Sequence, residues 1–208
     1  MIWNALKVGG ITIYVLLLCS LLSLAIIVER YIYYKKRSSV RRADFMAMIR
    51  SELTKHGIDR ARAVCHQTFA PFASVVLAGL DAKGAPEKEV ADCMERQIII
   101  QTAALERYTA ITGTIGSTAV YIGLFGTVLG IIRAFRDIAT SASSGINVVV
   151  NGISEALVCT AAGLAVAIPA HAGYNYLVSR VNAIVLDMER AATEIVHIVT
   201  DTVGAKGP

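Results

Sequence analysis

Three long stretches without an Asp, Glu, Lys or Arg residue dominate this sequence. They cover residues 8–28, 108–132 and 156–179 and contain 21, 25 and 24 residues. About 20 apolar residues cross the hydrocarbon core of a bilayer as an α-helix, which rises roughly 1.5 Å per residue. Only helices and closed barrels satisfy their backbone polar groups in lipid. Because these stretches are too long and too continuous for barrel strands, the sequence predicts an all-α membrane protein with three transmembrane helices.

The positive charges are distributed unevenly around these stretches. Residues 29–107 contain 14 of the 20 Lys and Arg residues, whereas the segment 133–155 contains only Arg133 and Arg136. Lys and Arg accumulate on the cytoplasmic side of membrane proteins, so the large loop and the C-terminus are predicted to be cytoplasmic and the N-terminus periplasmic. The net charge of +4 therefore reflects membrane topology, and no nucleic-acid partner is predicted. Six basic residues follow the first stretch closely: Arg30, Lys35, Lys36, Arg37, Arg41 and Arg42.

This topology divides the chain of a multi-pass inner-membrane protein into four regions. Residues 1–28 are the periplasmic N-terminus and first transmembrane helix, and 29–107 a cytoplasmic helical region. Residues 108–179 contain the second and third transmembrane helices with a short periplasmic turn at 141–145, and 180–208 form a cytoplasmic C-terminal helix and tail. The first stretch exceeds the roughly 7–15 apolar residues of a signal peptide, and a basic segment follows it, so we interpret it as a retained span.

Helical periodicity extends through the cytoplasmic region. An amphipathic helix is predicted around residue 49, and a second over 58–69. A third helix is predicted to begin at Pro71 and to end in a turn at 83–86, where Gly and Pro occur together. The apolar face of the first of these helices consists of Phe45, Met48, Ile49 and Leu53.

Two longer helices are predicted to contain the second and third spans. From Glu87 to the residue before Pro169 there is no proline, so a single helix is predicted from about 87 to about 137. The third span is predicted to continue as a helix past Arg180, because apolar residues keep recurring at helical spacing. Such a stripe is typical of packing between cytoplasmic helices. It consists of Val181, Ile184, Val185, Met188, Ile195 and Val199.

The sequence contains no arrangement typical of an enzyme. It has no glycine-rich phosphate loop, no Ser-His-Asp arrangement and no acidic cluster for a metal, so no catalytic residue, metal or cofactor is predicted. A metal site formed by Cys65, His66 and Cys93 lacks a recognised ligand spacing. With Cys19 and Cys159, these cysteines include no Cys-x-x-Cys pair and are interpreted as free thiols.

Glu155 is the most informative single residue. It is the only charged residue between Ile138 and Ser179. An ionisable group at membrane depth costs roughly 2.5 kcal/mol or more on insertion scales, and such groups usually face a protein interior or a water-filled path. This position suits a proton relay or a polar contact that lines a pore. The alternative is that Glu155 caps the outer end of the third helix at the lipid headgroups.

The second and third spans are rich in small residues. The second contains five glycines, and its Gly126 and Gly130 form a G-x-x-x-G motif, while the third contains Gly163 among many alanines. Small side chains let helices approach closely in lipid. Because three helices cannot bury so much close-packing surface alone, self-association is predicted. Gly126, Gly130, Gly163 and Pro169 are assigned to helix packing, and Pro169 is expected to loosen its helix.

Polar side chains also lie within the same spans. The hydroxyls of Thr127 and Thr160 either bond their own backbone carbonyls or, in a symmetric ring, form polar girdles around a central path. His171, near the inner end of the third span, is more typical of a packed or interfacial residue than of a proton relay.

Two segments resemble the ExbB/TolQ/MotA proton-channel family. The first is STAVYIGLFGTVLGI at 117–131, and the second is GISEALVCTAAGLAVAIP at 152–169, followed by Tyr174 and Asn175. Length and three spans are more similar to ExbB or TolQ than to MotA. The chain departs from the family pattern at Val120 and Asn151, where proline is frequent, and at Ser154, where alanine is.

The resemblance implies a ring of five copies whose second and third spans surround a pore. Inside the pore would lie single-span helices of an ExbD- or TolR-like partner with an essential Asp, and a TonB- or TolA-like transducer would carry the resulting rotation to the outer membrane. By motif match, Glu155, Thr127 and Thr160 take the family's polar pore-lining positions. Membrane lipids are a further expected contact. An ExbB-like or TolQ-like role, protons or sodium, and a non-conducting scaffold remain open.

Overall fold

The computed structural model describes residues 10–38, 40–140 and 146–204. Within these ranges the chain forms seven α-helices and no strand, which confirms the all-α class. The predicted turn at 141–145 lies outside the described residues. The helices are α1 (Gly10–Arg37), α2 (Arg42–Lys55), α3 (Ile58–Gln67), α4 (Pro71–Asp81), α5 (Glu87–Glu106), α6 (Thr109–Thr140) and α7 (Ile146–Gly204).

Three of these helices, α1, α6 and α7, are long and apolar enough to cross a membrane, as the charge-free stretches predict. Only 28%, 28% and 33% of their most apolar windows are buried within the chain. Most of this apolar surface must therefore be covered by lipid or by other chains, because apolar area of this extent is unstable in water. The ring assembly stays a prediction.

The chain divides into two compact units. The membrane unit contains the described residues up to Glu29 together with Tyr108–Leu177, and the extramembrane unit contains Arg30–Arg107 and the described residues from Val178 onwards. Both units are therefore discontinuous in sequence. Each is built from helices contributed by distant parts of the chain.

The core of the membrane unit lies where α1, α6 and α7 meet. Leu16 of α1 packs with Ile115 and Ala119 of α6 and with Ala167 and Ala170 of α7. Four of these five side chains are at most 4% exposed. Because the alanines occupy little space, the backbones can approach closely, as in other helix pairs within lipid.

In the extramembrane unit, α2 to α5 contact one another in chain order. Glycines with positive φ make two of the turns, Gly57 (84°) before α3 and Gly84 (97°) before α5, which few other residues adopt without strain. Pro71 occupies the first turn of α4, as predicted, where its missing N–H costs nothing. The buried side chains include Phe45, Ile49, Val76, Leu80, Val90, Met94, Met188 and Ile195.

The apolar face of α2 differs by one residue from the prediction. Met46 is 1% exposed, whereas Met48 is 43% exposed. Met46 is three residues before Ile49 and seven before Leu53, whereas Met48 is one and five residues before them. Helical spacing therefore places Met46 on the buried face, and including Met48 in that face was wrong.

The prediction of one helix from 87 to 137 is wrong, because the chain breaks between α5 and α6. Arg107 is extended, with φ −51° and ψ 129°, and Tyr108 has φ 66°, the left-handed conformation that non-glycine residues rarely adopt. No Gly or Pro marks this break in the sequence. By contrast, α7 continues past Arg180, as predicted, and is unbroken at Pro169.

A cluster of ion pairs joins α2 to α7 in the extramembrane unit. Glu194 accepts a 2.9 Å hydrogen bond from Arg42 and forms an ion pair at 2.9 Å with Arg50, and Arg42 also lies 3.7 Å from Asp187. Single exposed pairs contribute little, but a network that shares one carboxylate is more effective. This cluster fixes the register of α7 against α2.

Cys65 provides a test of packing in this unit. Its side chain is 4% exposed, and burial, with a smaller contribution from the Asp81 carboxylate, raises the pKa of its thiol to about 12. Because the thiolate is the reactive form, a variant that keeps only Cys65 should react with iodoacetamide at pH 8 on the order of 100-fold more slowly than one that keeps only Cys93. Mass spectrometry measures the alkylation rate of each variant. Equal rates for the two variants would show that Cys65 is not buried.

Candidate functional site

Glu155 lies on α7 beside a small cavity in the membrane unit. The cavity has a volume of about 120 Å³ and is lined by residues from α1, α6 and α7, among them Thr12, Arg133 and Asp137. A volume of this size holds several water molecules. The site therefore combines three charged side chains and a hydroxyl around a space that water can fill.

Glu155 does not cap the third helix, because α7 begins at Ile146, nine residues earlier. Only the first four N–H groups of a helix lack an intrahelical partner. Glu155 is therefore not the N-cap of α7, and its depth relative to the lipid headgroups stays a prediction. The next residue, Ala156, lies opposite Gly130, close to the end of the charge-free stretch of α6.

Glu155 and Arg133 are exposed on the single chain. Among the described residues, neither forms an ion pair or hydrogen bond with another. A carboxylate and a guanidinium in a membrane-spanning unit require compensation by water or by polar groups of another chain. A single copy therefore does not supply the polar partners that the Glu155 carboxylate requires on this face of α7.

The two threonines are placed differently from Glu155. Thr127 is 8% exposed, and its hydroxyl donates a 2.6 Å hydrogen bond to the Leu124 carbonyl of its own helix. Thr160 is half-buried and donates a long 3.5 Å hydrogen bond across to the Gly123 carbonyl of α6. In one chain both hydroxyls thus serve backbone carbonyls, and Glu155 alone of the three is exposed.

Close approach of α6 and α7 positions these side chains. A Cβ atom added to Gly163 would lie 2.7 Å from the Ala119 carbonyl oxygen and 2.9 Å from the Gly123 Cα atom. A Cβ atom at Gly130 would lie 2.7 Å from the Cβ of Ala156. Positions further along α6 face earlier positions on α7, so the two helices are antiparallel.

The third glycine assigned to packing faces two helices. A Cβ atom at Gly126 would lie 2.8 Å from the Cβ of Cys159 on α7 and 3.0 Å from the Cγ2 of Thr12 on α1. The glycines of α6 are thus used within one chain, so their number alone does not require self-association, which stays a prediction. Pro169, which the sequence assigned to helix packing, is exposed on the single chain.

His171 lies at the opposite end of the same helix pair. Its backbone would be 3.0 Å from a Cβ atom at Gly116, and its ring centroid is 6.3 Å from that of Tyr174. It is remote in sequence from the Glu155 cavity and contributes no side chain to it. The geometry favours a packing role for His171.

Sequence reasoning missed Arg133, Asp137 and Thr12 as neighbours of Glu155. The available signal was the antiparallel pairing of two glycine-rich spans, which places the residues after Gly130 beside those before Ala156. No group of three or more His, Cys, Asp or Glu side chains in the described ranges has a geometry that suits a metal ion.

The fold and site define a helical membrane protein with a charged cavity lined by three helices, two of which are closely packed through glycines. The model of the MotA/TolQ/ExbB proton channel family matches residues 67–190, so the chain belongs to this family. That match includes α6, Glu155 and most of α7.

Individual relatives agree with this assignment. The chain is 36% identical over 140 residues to a Tol-Pal system protein TolQ from Haemophilus influenzae, a match that covers 67% of the chain and 61% of the relative. It is 35% identical over 121 residues to a biopolymer transport protein ExbB from Pseudomonas putida (58% and 37%). It is 46% identical over 82 residues to an ExbB from Neisseria gonorrhoeae (39% and 37%). The chain thus spans less than two thirds of these relatives' lengths.

Proposed function

We propose that this chain is the channel-forming subunit of a proton-driven motor complex in the inner membrane, which energises outer-membrane transport through a TonB-like partner. In this proposal the N-terminus is periplasmic and the C-terminus cytoplasmic, as the distribution of Lys and Arg favours. Five copies surround single-span helices of an ExbD- or TolR-like partner. The essential Asp belongs to that partner, as the family resemblance implies.

Exposure of Glu155 is the observation that carries the proposal. The membrane unit holds an exposed carboxylate beside a water-sized cavity, and no described side chain compensates it. In an assembly, this face of α7 lines the path between copies and partner, where a carboxylate accepts and releases protons. Thr127 and Thr160 flank the path from within the α6–α7 pair, and Gly126, Gly130 and Gly163 hold that pair together.

Two alternatives differ from this proposal in measurable ways. A TolQ-like subunit of a Tol-Pal envelope system would have the same site and differ in its partners, since both TolQ and ExbB proteins are among the relatives. A non-conducting scaffold would use Glu155 only for a hydrogen bond between helices. Sodium in place of protons remains compatible with one carboxylate and two hydroxyls.

Native mass spectrometry of the complex, extracted gently from its own membrane, tests the proposal. Five copies of the chain with a small single-span protein are expected, and the identity of that protein separates the ExbB-like from the TolQ-like role. Liposomes that contain both proteins should then take up protons down a pH gradient, whereas liposomes without the small protein should not. A monomer or dimer without a partner would contradict the proposal.

A further inference from the structure

A groove with both polar and apolar lining residues lies in the extramembrane unit, distant in sequence from Glu155. It has a volume of about 540 Å³ and is formed by the end of α1 and the link between α3 and α4. Tyr33, Val40 and Phe69 supply its apolar walls, and Lys36 supplies a charge. Phe69 is 85% exposed, the largest exposed fraction of any large apolar residue within the described ranges.

The charges at this groove are of one sign. Lys36 is exposed and has no hydrogen bond or ion pair with a described residue. Arg37, also in the wall, donates a 3.0 Å hydrogen bond to Gln101 and stacks 5.0 Å from the centroid of the Tyr33 ring. Arg37 is therefore held in place by neighbours, while the ammonium group of Lys36 is available to a ligand. None of the described residues that line the groove is acidic.

The distance along α1 from its apolar stretch to this groove suits the level of the lipid headgroups. The charge-free stretch of α1 ends at Val28, and Tyr33, Lys36 and Arg37 follow on the same unbroken helix. They lie about 7 to 14 Å beyond Val28 at 1.5 Å per residue. Side chains on a helix point back toward its N-terminus, and Lys extends its charge over several carbons, so its ammonium group reaches back toward the membrane. Tyr and Phe at this level are typical of the membrane interface.

We propose that this groove binds the headgroup of one anionic phospholipid. The phosphate pairs with Lys36 and Arg37, and the glycerol and first acyl carbons lie against Tyr33 and Phe69. An acidic peptide would match the charge but not the exposed Phe69, which an acyl chain covers. The proposal depends on α1 being a membrane span and is independent of proton conduction, so it can fail without affecting the proposed function.

Lipid binding to matched variants tests this site. The purified complex, delipidated in detergent, is titrated with phosphatidylglycerol, and native mass spectrometry measures the apparent Kd of the first lipid bound. Lys36→Gln should weaken binding about fivefold, the effect of about 1 kcal/mol per basic residue near an anionic surface. Phe69→Ser should weaken it by a similar factor. Phosphatidylcholine should bind the native complex more weakly than phosphatidylglycerol.

Two control variants make the expectation specific. Lys35→Gln removes the same charge one residue away and outside the groove, and Ile99→Ser removes an exposed apolar side chain (61% exposed) elsewhere in the unit. Both should leave the Kd unchanged. Equal losses for Lys35→Gln and Lys36→Gln would overturn the site in favour of diffuse attraction. Displacement of the lipid by equimolar glycerol 3-phosphate would overturn it in favour of a soluble phosphate. A change of copy number in Phe69→Ser would show that a neighbouring copy fills the groove.

Discussion

Glu155→Gln is expected to reduce proton uptake by reconstituted liposomes on the order of 100-fold, the lower range for loss of a positioned proton-transfer group. Gln has nearly the same shape as Glu and both donates and accepts hydrogen bonds. Its amide does not ionise, so it cannot take up and release a proton as a carboxylate does. Because Glu155 is exposed and makes no described hydrogen bond, the substitution should leave the mass of the assembly unchanged. Flux and native mass are therefore measured on the same preparation.

Glu189→Gln is the matched control for this variant. Glu189 lies on the same helix, is exposed, and belongs to the extramembrane unit. Its substitution should leave flux at the native level. Native flux in Glu155→Gln would contradict a role in conduction and leave the scaffold alternative, in which Glu155 is replaceable by any hydrogen-bonding side chain.

Gly163→Ala is expected to destabilise the membrane unit by about 1–3 kcal/mol or more, the usual range for overpacking. The added methyl group would meet the Ala119 carbonyl at 2.7 Å and the Gly123 Cα at 2.9 Å. Both are backbone atoms, which no rotamer change can move, so α6 and α7 must separate. The hydrogen bond from Thr160 to the Gly123 carbonyl, already 3.5 Å long, would be lost when the two helices separate. Thermal unfolding in detergent, followed by circular dichroism, measures the effect.

Gly79→Ala makes the same chemical change where the nearest neighbours are side-chain atoms rather than backbone. Its Cβ atom would meet the Sδ of Met94 at 2.7 Å and the Cγ2 of Ile195 at 2.8 Å. Met has three rotatable bonds and adapts to a new methyl group, so Gly79→Ala should lower the unfolding temperature less than Gly163→Ala. The opposite order would mean that α6 and α7 are not in backbone contact at Gly163.

The sequence predicted the spans and most helices well because charge and hydropathy record contact with lipid directly. The absence of charge over 8–28, 108–132 and 156–179 leaves few alternatives. The break at Tyr108 escaped prediction because the apolar periodicity of α5 leads straight into the charge-free stretch of α6. A left-handed Tyr has no signature of the kind that Gly or Pro provides.

The candidate site was predicted in part. Glu155 is conspicuous because it is the only charge in a long segment. Arg133, Asp137 and Thr12 join it only through the pairing of three helices, and each is ordinary in its own sequence context. The glycines of α6 predict a closely packed helix partner. Their spacing alone does not indicate whether that partner helix belongs to the same chain or to another.

The link between Arg42 and Glu194, 152 residues apart in the chain, has a consequence for biosynthesis. The ribosome releases α2 to α5 well before α7, yet the side chains of Met188 and Ile195 on α7 are fully buried in the core of that unit. Two further spans must therefore be inserted by the translocation machinery before the core can close. Until α7 is in place, the side chain of Met94 in the incomplete bundle is not covered by Ile195 of α7 and is accessible to chaperones and proteases. Assembly of the extramembrane unit thus reports that insertion is complete.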